Sequence, residues 1–172
     1  HLLRRQVLQK LKKPLIVFTP KGLLRHPLCL SPLKDFENGA FLTLIDDPNQ
    51  SKNPRRLVFC SGRIYYDLET VRKKEGIQDI VLVRIEQLYP LDTLRIKEII
   101  QKYGSFKECL WVQEEPKNMG AWNYISHPLQ DLLPENMRLI YVGREQSATP
   151  ATGFLTKHKK EHAQIMQQVF KI

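Results

Sequence analysis

The 172-residue sequence holds only three cysteines, Cys29, Cys60 and Cys109, far apart and without a C-x-x-C pair. An odd count at such spacing argues against a disulfide framework and for a reducing compartment. Cys60 and Cys109 sit inside apolar runs, where a thiol packs as a small hydrophobe. No apolar run approaches the roughly 18 residues that a membrane span requires, and the opening residues carry no signal-peptide pattern. Neither G-x-G-x-x-G nor G-x-x-x-x-G-K-[ST] occurs, which removes the dinucleotide fingerprint and the P-loop. There is no internal repeat and no low-complexity tract. The first residue is His1 rather than Met, so the sequence is expected to be a piece of a longer polypeptide.

What is present is ordinary for a globular domain: 42% apolar and 26% charged residues, in a chain long enough to bury a core without staples. The net charge of +9 raises the question of a nucleic-acid partner. Its basic residues are dispersed, however, at Arg4-Arg5, Lys12-Lys13, Arg55-Arg56, Arg72 to Lys74 and Lys157 to Lys160. That is the distribution of a solvated face, or of a surface that docks on an acidic neighbour, and neither nucleic acid nor membrane is expected as a partner.

Apolar periodicity divides the chain into alternating segments. Residues 2–12 read as the end of a helix and Leu15–Phe18 as a short buried strand. Pro27 to Pro54 reads as irregular, with at most a short helix near Lys34–Glu37. Strands are then expected at Leu57–Cys60, Ile80–Ile85, Cys109–Val112 and Leu139–Val142. Helices are expected at Arg63–Lys74, Leu91–Tyr103, Trp122–Leu133 with a break at Pro128, and Phe154–Phe170. Gly76 and Gly104 supply stops. Uninterrupted apolar strands separated by helices imply βαβ units, a largely parallel sheet and a three-layer α/β/α domain of about five strands.

The string Leu110-Trp-Val-Gln-Glu-Glu-Pro-Lys-Asn-Met-Gly-Ala-Trp122 is the most informative local feature. It delivers polar and aromatic groups past the carboxyl end of a strand, where open α/β sheets place their sites. Glu114 and Glu115 point to opposite faces of such a strand, which favours packing, capping or domain contact over paired acid/base work. Ser61-Gly62-Arg63 joins a strand to a helix start and offers either an anion site or a plain capped start. Arg84 and Glu86 straddle Ile85 on one face, as an internal ion pair would. Gly143 to Gly153, with one Arg and several small hydroxyl residues, reads either as a phosphate or domain wrap or as a cap before the final helix. His158-Lys-Lys-Glu161-His162 has zinc-like spacing, but no Asp, Glu, His or Cys follows to complete the set.

Blocks spread along the whole chain resemble the C-terminal domain of the thiamine-diphosphate-dependent, decarboxylating component of 2-oxoglutarate dehydrogenase. They are Leu2 to Gln6, Thr19 to Lys21 with Leu24 to Pro27, Cys60 to Leu68, Val83 to Pro90, the 110–122 string, Tyr141 to Arg144 and Ser147 to Gly153. The resemblance implies a transketolase C-terminal-domain-like fold with one antiparallel strand in a mixed sheet. Residues 1–13 would be a helix end and linker from a preceding pyrimidine-binding domain, and 14–172 the domain itself. It implies a parent enzyme that decarboxylates 2-oxoglutarate on thiamine diphosphate and magnesium and passes succinyl to lipoamide in the citric acid cycle. Those ligands would lie in preceding domains, so this chain would carry no catalytic or metal-binding residue and would not bind the cofactor.

The implied partners are those domains, a homodimer mate, the acyltransferase subunit and an effector of the AMP or CoA type. Ser61, Arg63, Arg84 and Arg144 match the family's allosteric anion site, with Glu145 where some members have a second Arg, which implies a weak nucleotide or phosphate site. The implied location is the bacterial cytoplasm, or the mitochondrial matrix for a eukaryotic chain. A free-standing nucleotide- or CoA-binding module is the alternative reading.

Overall fold

The computed structural model describes residues 1–171 and divides them into two units, His1–Leu42 and a second from Thr43 onward. The first unit holds α1 (Leu2–Leu8), a 3-10 turn (Lys21–Arg25) and α2 (Leu33–Asn38), and none of these elements buries a residue. Within it the His1 imidazole meets the Asp35 carbonyl at 2.6 Å, and the Arg5 guanidinium lies 3.8 Å from the centre of the Phe41 ring. Leu15–Phe18 is not the buried strand that its composition predicts. It has no ladder, and Ile16 and Phe18 are 77% and 95% exposed. Apolar composition makes burial favourable, but a strand also needs a neighbour to take its N–H and C=O groups.

The second unit is built on five strands: β1 (Leu44–Ile45), β2 (Arg56–Cys60), β3 (Ile80–Ile85), β4 (Glu108–Pro116) and β5 (Leu139–Arg144). Their order is β1-β3-β2-β4-β5. All neighbours are parallel except the edge strand β1, which runs antiparallel to β3 with Leu44 opposite Ile85. The sheet is therefore mixed and mostly parallel, and the fold is α/β/α. The fifth strand is β1, inside the stretch predicted to be irregular, and not Leu15–Phe18.

Four helices cover the sheet: α3 (Ile64–Glu75), α4 (Thr93–Lys102), α5 (Trp122–Gln130) and α6 (Leu155–Phe170). On one face Leu57, Phe59, Val81, Val83, Cys109 and Trp111 pack with Ile96, Ile99, Ile125 and Leu129 of α4 and α5. On the other face α3 and α6 touch each other and bury Ile64, Leu68, Ile165, Met166, Val169 and Phe170. Gly76 ends α3 in the left-handed conformation, φ 65°, that an L-residue adopts at a cost. α5 runs through Pro128 without the predicted break. Pro128 has no N–H to give, yet Leu129 on the same turn is fully buried, and that packing holds the helix together.

A buried ion cluster ties the amino half of this unit. Asp47 accepts from Arg72 and from the backbone N–H groups of Leu82 (2.8 Å) and Asn49 (2.9 Å). Arg72 also pairs with Glu69 and donates to the Ile80 carbonyl at 3.2 Å. Burial alone would drive the Arg72 pKa down, but the bond and charge of Asp47, with Glu69, leave it raised.

Candidate functional site

The chemistry-bearing side chains gather at the carboxyl ends of the parallel strands. β2 ends at Cys60, and the Ser61-Gly62 turn, with Gly62 at φ 74°, leads to Arg63 at the start of α3. No side chain caps that start. The Arg63 guanidinium instead forks onto Glu114, one contact being Nε to Oε2 at 3.3 Å, and its Nη1 lies 3.6 Å from Asp67. Asp67 in turn meets His162 Nε2 of α6 at 3.2 Å. That bond, ahead of the opposing effect of burial, holds the His162 pKa above its ordinary value.

One residue earlier on α6, Glu161 accepts from Arg144 Nε at 2.7 Å, and Arg144 Nη1 donates to the Pro150 carbonyl at 3.0 Å. Arg84, at the end of β3, pairs with Glu86 at 2.8 Å and lies 4.7 Å and 5.3 Å from the ring centres of Tyr65 and Tyr66. The expected Arg84–Glu86 pair is thus present.

Arg63, Arg84 and Arg144 therefore stand along one edge of the sheet, on its α3/α6 face, each already matched by a carboxylate of its own chain. An arriving anion must compete with Glu114, Glu86 and Glu161, so any site here is intrinsically weak. Ser61, two residues before Arg63, also borders a second feature. With Gly62 it lines a cavity of about 570 Å³ whose other walls include Leu88, Tyr89, Trp111, Gln113, Glu115 and Tyr124.

The turn of the 110–122 string is organised by Gln113, a residue that the sequence reading passed over. Its Oε1 accepts from Trp111 Nε1 (2.9 Å) and from the Trp122 N–H (3.0 Å). Its Nε2 reaches the carbonyls of Glu115, Pro116 and Met119 at 2.8–3.2 Å. A polar residue inside an otherwise apolar strand was the available signal, because such a residue must find partners when buried. Arg72 carried a similar signal, lying four and eight residues beyond Leu68 and Ile64 on the buried stripe of α3.

Glu114 and Glu115 do take separate roles: Glu114 pairs with Arg63, while Glu115 lines the cavity. Of the His158–Glu161–His162 set, His162 meets Asp67 and Glu161 meets Arg144, while the His158 ring lies 6.3 Å from that of His162; among the described residues no group of His, Cys, Asp and Glu is placed to hold a metal ion. The Gly143–Gly153 loop gives α6 no side-chain cap; it is held to the 116–121 turn by Asn118, which bonds the Ser147 carbonyl and N–H at 2.9 and 3.1 Å. Burial pushes the Cys60 and Cys109 thiols up to about 12, which leaves them unreactive at neutral pH.

Residues 30–170 match the family described as 2-oxoglutarate dehydrogenase C-terminal. The oxoglutarate dehydrogenase of Buchnera aphidicola (subspecies Baizongia pistaciae) is 44% identical over 174 residues, covering 100% of this chain and 19% of the relative. The 2-oxoglutarate dehydrogenase E1 components of Haemophilus influenzae and Rickettsia typhi are 41% and 43% identical, covering 97% and 98% of this chain and 18% of each relative. The chain thus spans a little under a fifth of the length of the curated relatives it matches.

Proposed function

The chain belongs to the 2-oxoglutarate dehydrogenase C-terminal family, and from that premise we propose that it is the structural, dimer-assembly and regulatory domain of a 2-oxoglutarate dehydrogenase decarboxylating component. In this reading residues 1–13 are a helix end and linker from a preceding domain, and 14–172 form the transketolase C-terminal-like domain. The whole enzyme, in the bacterial cytoplasm, decarboxylates 2-oxoglutarate and passes succinyl to lipoamide on its acyltransferase partner.

Thiamine diphosphate and magnesium supply the decarboxylation chemistry of the whole enzyme, and the residues here do not fit them. A magnesium–diphosphate pair needs free carboxylate or carbonyl oxygens beside unpaired cations. Glu114, Asp67, Glu161 and Glu86 are each engaged by Arg or His of the same chain, and Glu115, which has no ion pair among the described residues, lines a cavity that offers no cation for a diphosphate. No catalytic step is therefore assigned to this chain.

The observation that carries the assembly reading is the exposed apolar run Ile16, Val17 and Phe18, joined in the same unit by exposed Leu24, Leu30 and Phe36. Large apolar side chains left this exposed in number are what an interface with a further domain or subunit would cover. Ser61, Arg63, Arg84 and Arg144 are the regulatory part, a weak nucleotide or phosphate site opened when an anion displaces the internal carboxylates.

The test is direct. The purified chain, given 2-oxoglutarate, thiamine diphosphate and magnesium, is expected to release no carbon dioxide, and measurable turnover overturns the assignment. AMP and acetyl-CoA at millimolar levels are expected to shift amide NMR signals at Ser61, Arg63 and Arg144. If neither ligand moves those signals or the melting temperature, the regulatory part is wrong.

A further inference from the structure

The cavity beside the Gln113-organised turn has a chemistry opposite to that of the arginine edge. Its mouth is an aromatic corner: the Tyr89 and Tyr124 rings stand edge to face with centroids 6.3 Å apart, and they are 81% and 45% exposed. Leu88, Ala121 and the buried Trp111 form apolar walls. The charged side chain in the lining is Glu115.

Glu115 is held in place by its surroundings. Gly120, at φ 65°, brings its backbone so close that a Cβ there would lie 3.0 Å from Glu115 Cβ, 3.1 Å from Oε2 and 2.9 Å from Gln113 Nε2. The Gln113 bonds fix the same turn from inside. No ion pair to Glu115 is found among the described residues, whereas Glu114, Glu86, Glu161 and Asp67 all have one. A carboxylate without an ion pair, in the same cavity lining as two solvent-open tyrosine rings, is an unsatisfied acceptor for a cation.

We propose that this cavity is a docking site for an arginine side chain presented by a partner polypeptide, with the guanidinium laid against the solvent-open side of the Tyr89–Tyr124 pair and forked onto the Glu115 carboxylate. A planar guanidinium both stacks on aromatic faces and bonds a carboxylate through two N–H groups, which an ammonium does not do together. The occupant is a polypeptide rather than a free small molecule. A small ligand would be largely enclosed by its pocket, whereas these rings stay open to solvent until a second surface covers them. The proposal uses neither the arginine edge nor the identity of the parent enzyme.

The experiment uses the full 172-residue chain, labelled with 15N and with 13C in its tyrosine rings. The probes are acetyl-Gly-Arg-Gly-amide, the same peptide with Lys or Gln at the centre, and tetramethylammonium. The Arg peptide is expected to move the Glu115, Gly120 and Ala121 amide signals and the Tyr89 and Tyr124 ring signals in a saturable way. The Lys peptide should bind about three- to tenfold more weakly and the Gln peptide not measurably. Glu115→Gln, at an exposed position that leaves the fold intact, should weaken the Arg peptide about fivefold or more; Tyr124→Leu should weaken it by about two- to fivefold. An equal response to the Gln peptide, or no loss in Glu115→Gln, overturns the cation site. Tetramethylammonium binding as tightly as the Arg peptide overturns the polypeptide assignment.

Discussion

Asp47→Asn is the sharpest test of how the second unit holds together. The Asp47 and Arg72 side chains are 1% and 3% exposed, and Asp47 serves four N–H donors on three segments: Nη1 and Nη2 of Arg72 from α3, the Leu82 N–H from β3 and the Asn49 N–H from its own loop. Asparagine keeps the shape but replaces one acceptor oxygen with a donor. That donor then faces the Arg72 guanidinium or the Leu82 N–H, and a buried guanidinium loses half its countercharge. Breaking a buried pair in this way costs about 3–5 kcal/mol, against a total stability of about 5–15 kcal/mol for a domain.

With a urea slope near 2 kcal/mol per molar, the midpoint should fall by about 1.5–2.5 M. Fluorescence of the buried Trp111, together with far-UV circular dichroism, reads the transition. Salt should not rescue the variant, because buried charges are poorly screened. The charge-free triple variant Asp47→Asn, Glu69→Gln, Arg72→Met should recover most of the loss, since uncharged replacements of buried pairs are often neutral. A midpoint shift under about 0.5 M for Asp47→Asn would refute the reasoning and place the cluster among energetically idle contacts.

Three further outcomes are expected. Because the folded pKa of His162 is raised by Asp67, its stabilisation is complete below the unfolded value of about 6.5 and is lost as pH rises through the folded value. The melting temperature of the wild type should therefore decline across that interval relative to His162→Asn, and parallel profiles would remove the link. Gln113→Leu strands the buried Trp111 Nε1–H and the Trp122 N–H, at about 1–3 kcal/mol per unsatisfied group. Near-ultraviolet circular dichroism should report a loosened Trp environment, and an unchanged spectrum would contradict the hub role. Phe18→Ser changes a fully solvated side chain, so the stability of this chain should stay within about 0.5 kcal/mol. On the proposed assembly role, the variant should be captured less well in a pull-down by the domains proposed to precede it, and unchanged capture would count against that role.

The order of the four parallel strands and four helices in the second unit was legible, though β4 runs on to Pro116 past the expected Val112 and α5 stops at Gln130, short of Leu133. Ile80–Ile85 appears as predicted, Gly76 stops α3, and Leu57–Cys60 differs from β2 by one residue. These elements are written in local periodicity and in stop residues, which depend only on near neighbours along the chain. The resemblance of whole blocks to a known family was legible for the same reason, since side-chain order is all that it requires. Partnership was not legible. Leu44–Ile45 becomes a strand only because β3 offers it an edge, while the more apolar Leu15–Phe18 has no such edge and stays exposed.

The same division runs through the candidate site. Spacing could nominate Arg63, Arg84 and Arg144, but the carboxylates that neutralise two of them come from elsewhere in the chain. Glu114 lies 51 residues from Arg63, and Glu161 lies 17 from Arg144. Tyr89 and Tyr124 meet only because parallel strands bring the ends of β3 and β4 to one edge. Composition and period thus specify which residues leave water, whereas the choice of partner for each buried charge and each open ring is made by the crossovers, which place residues distant in sequence within a few ångströms.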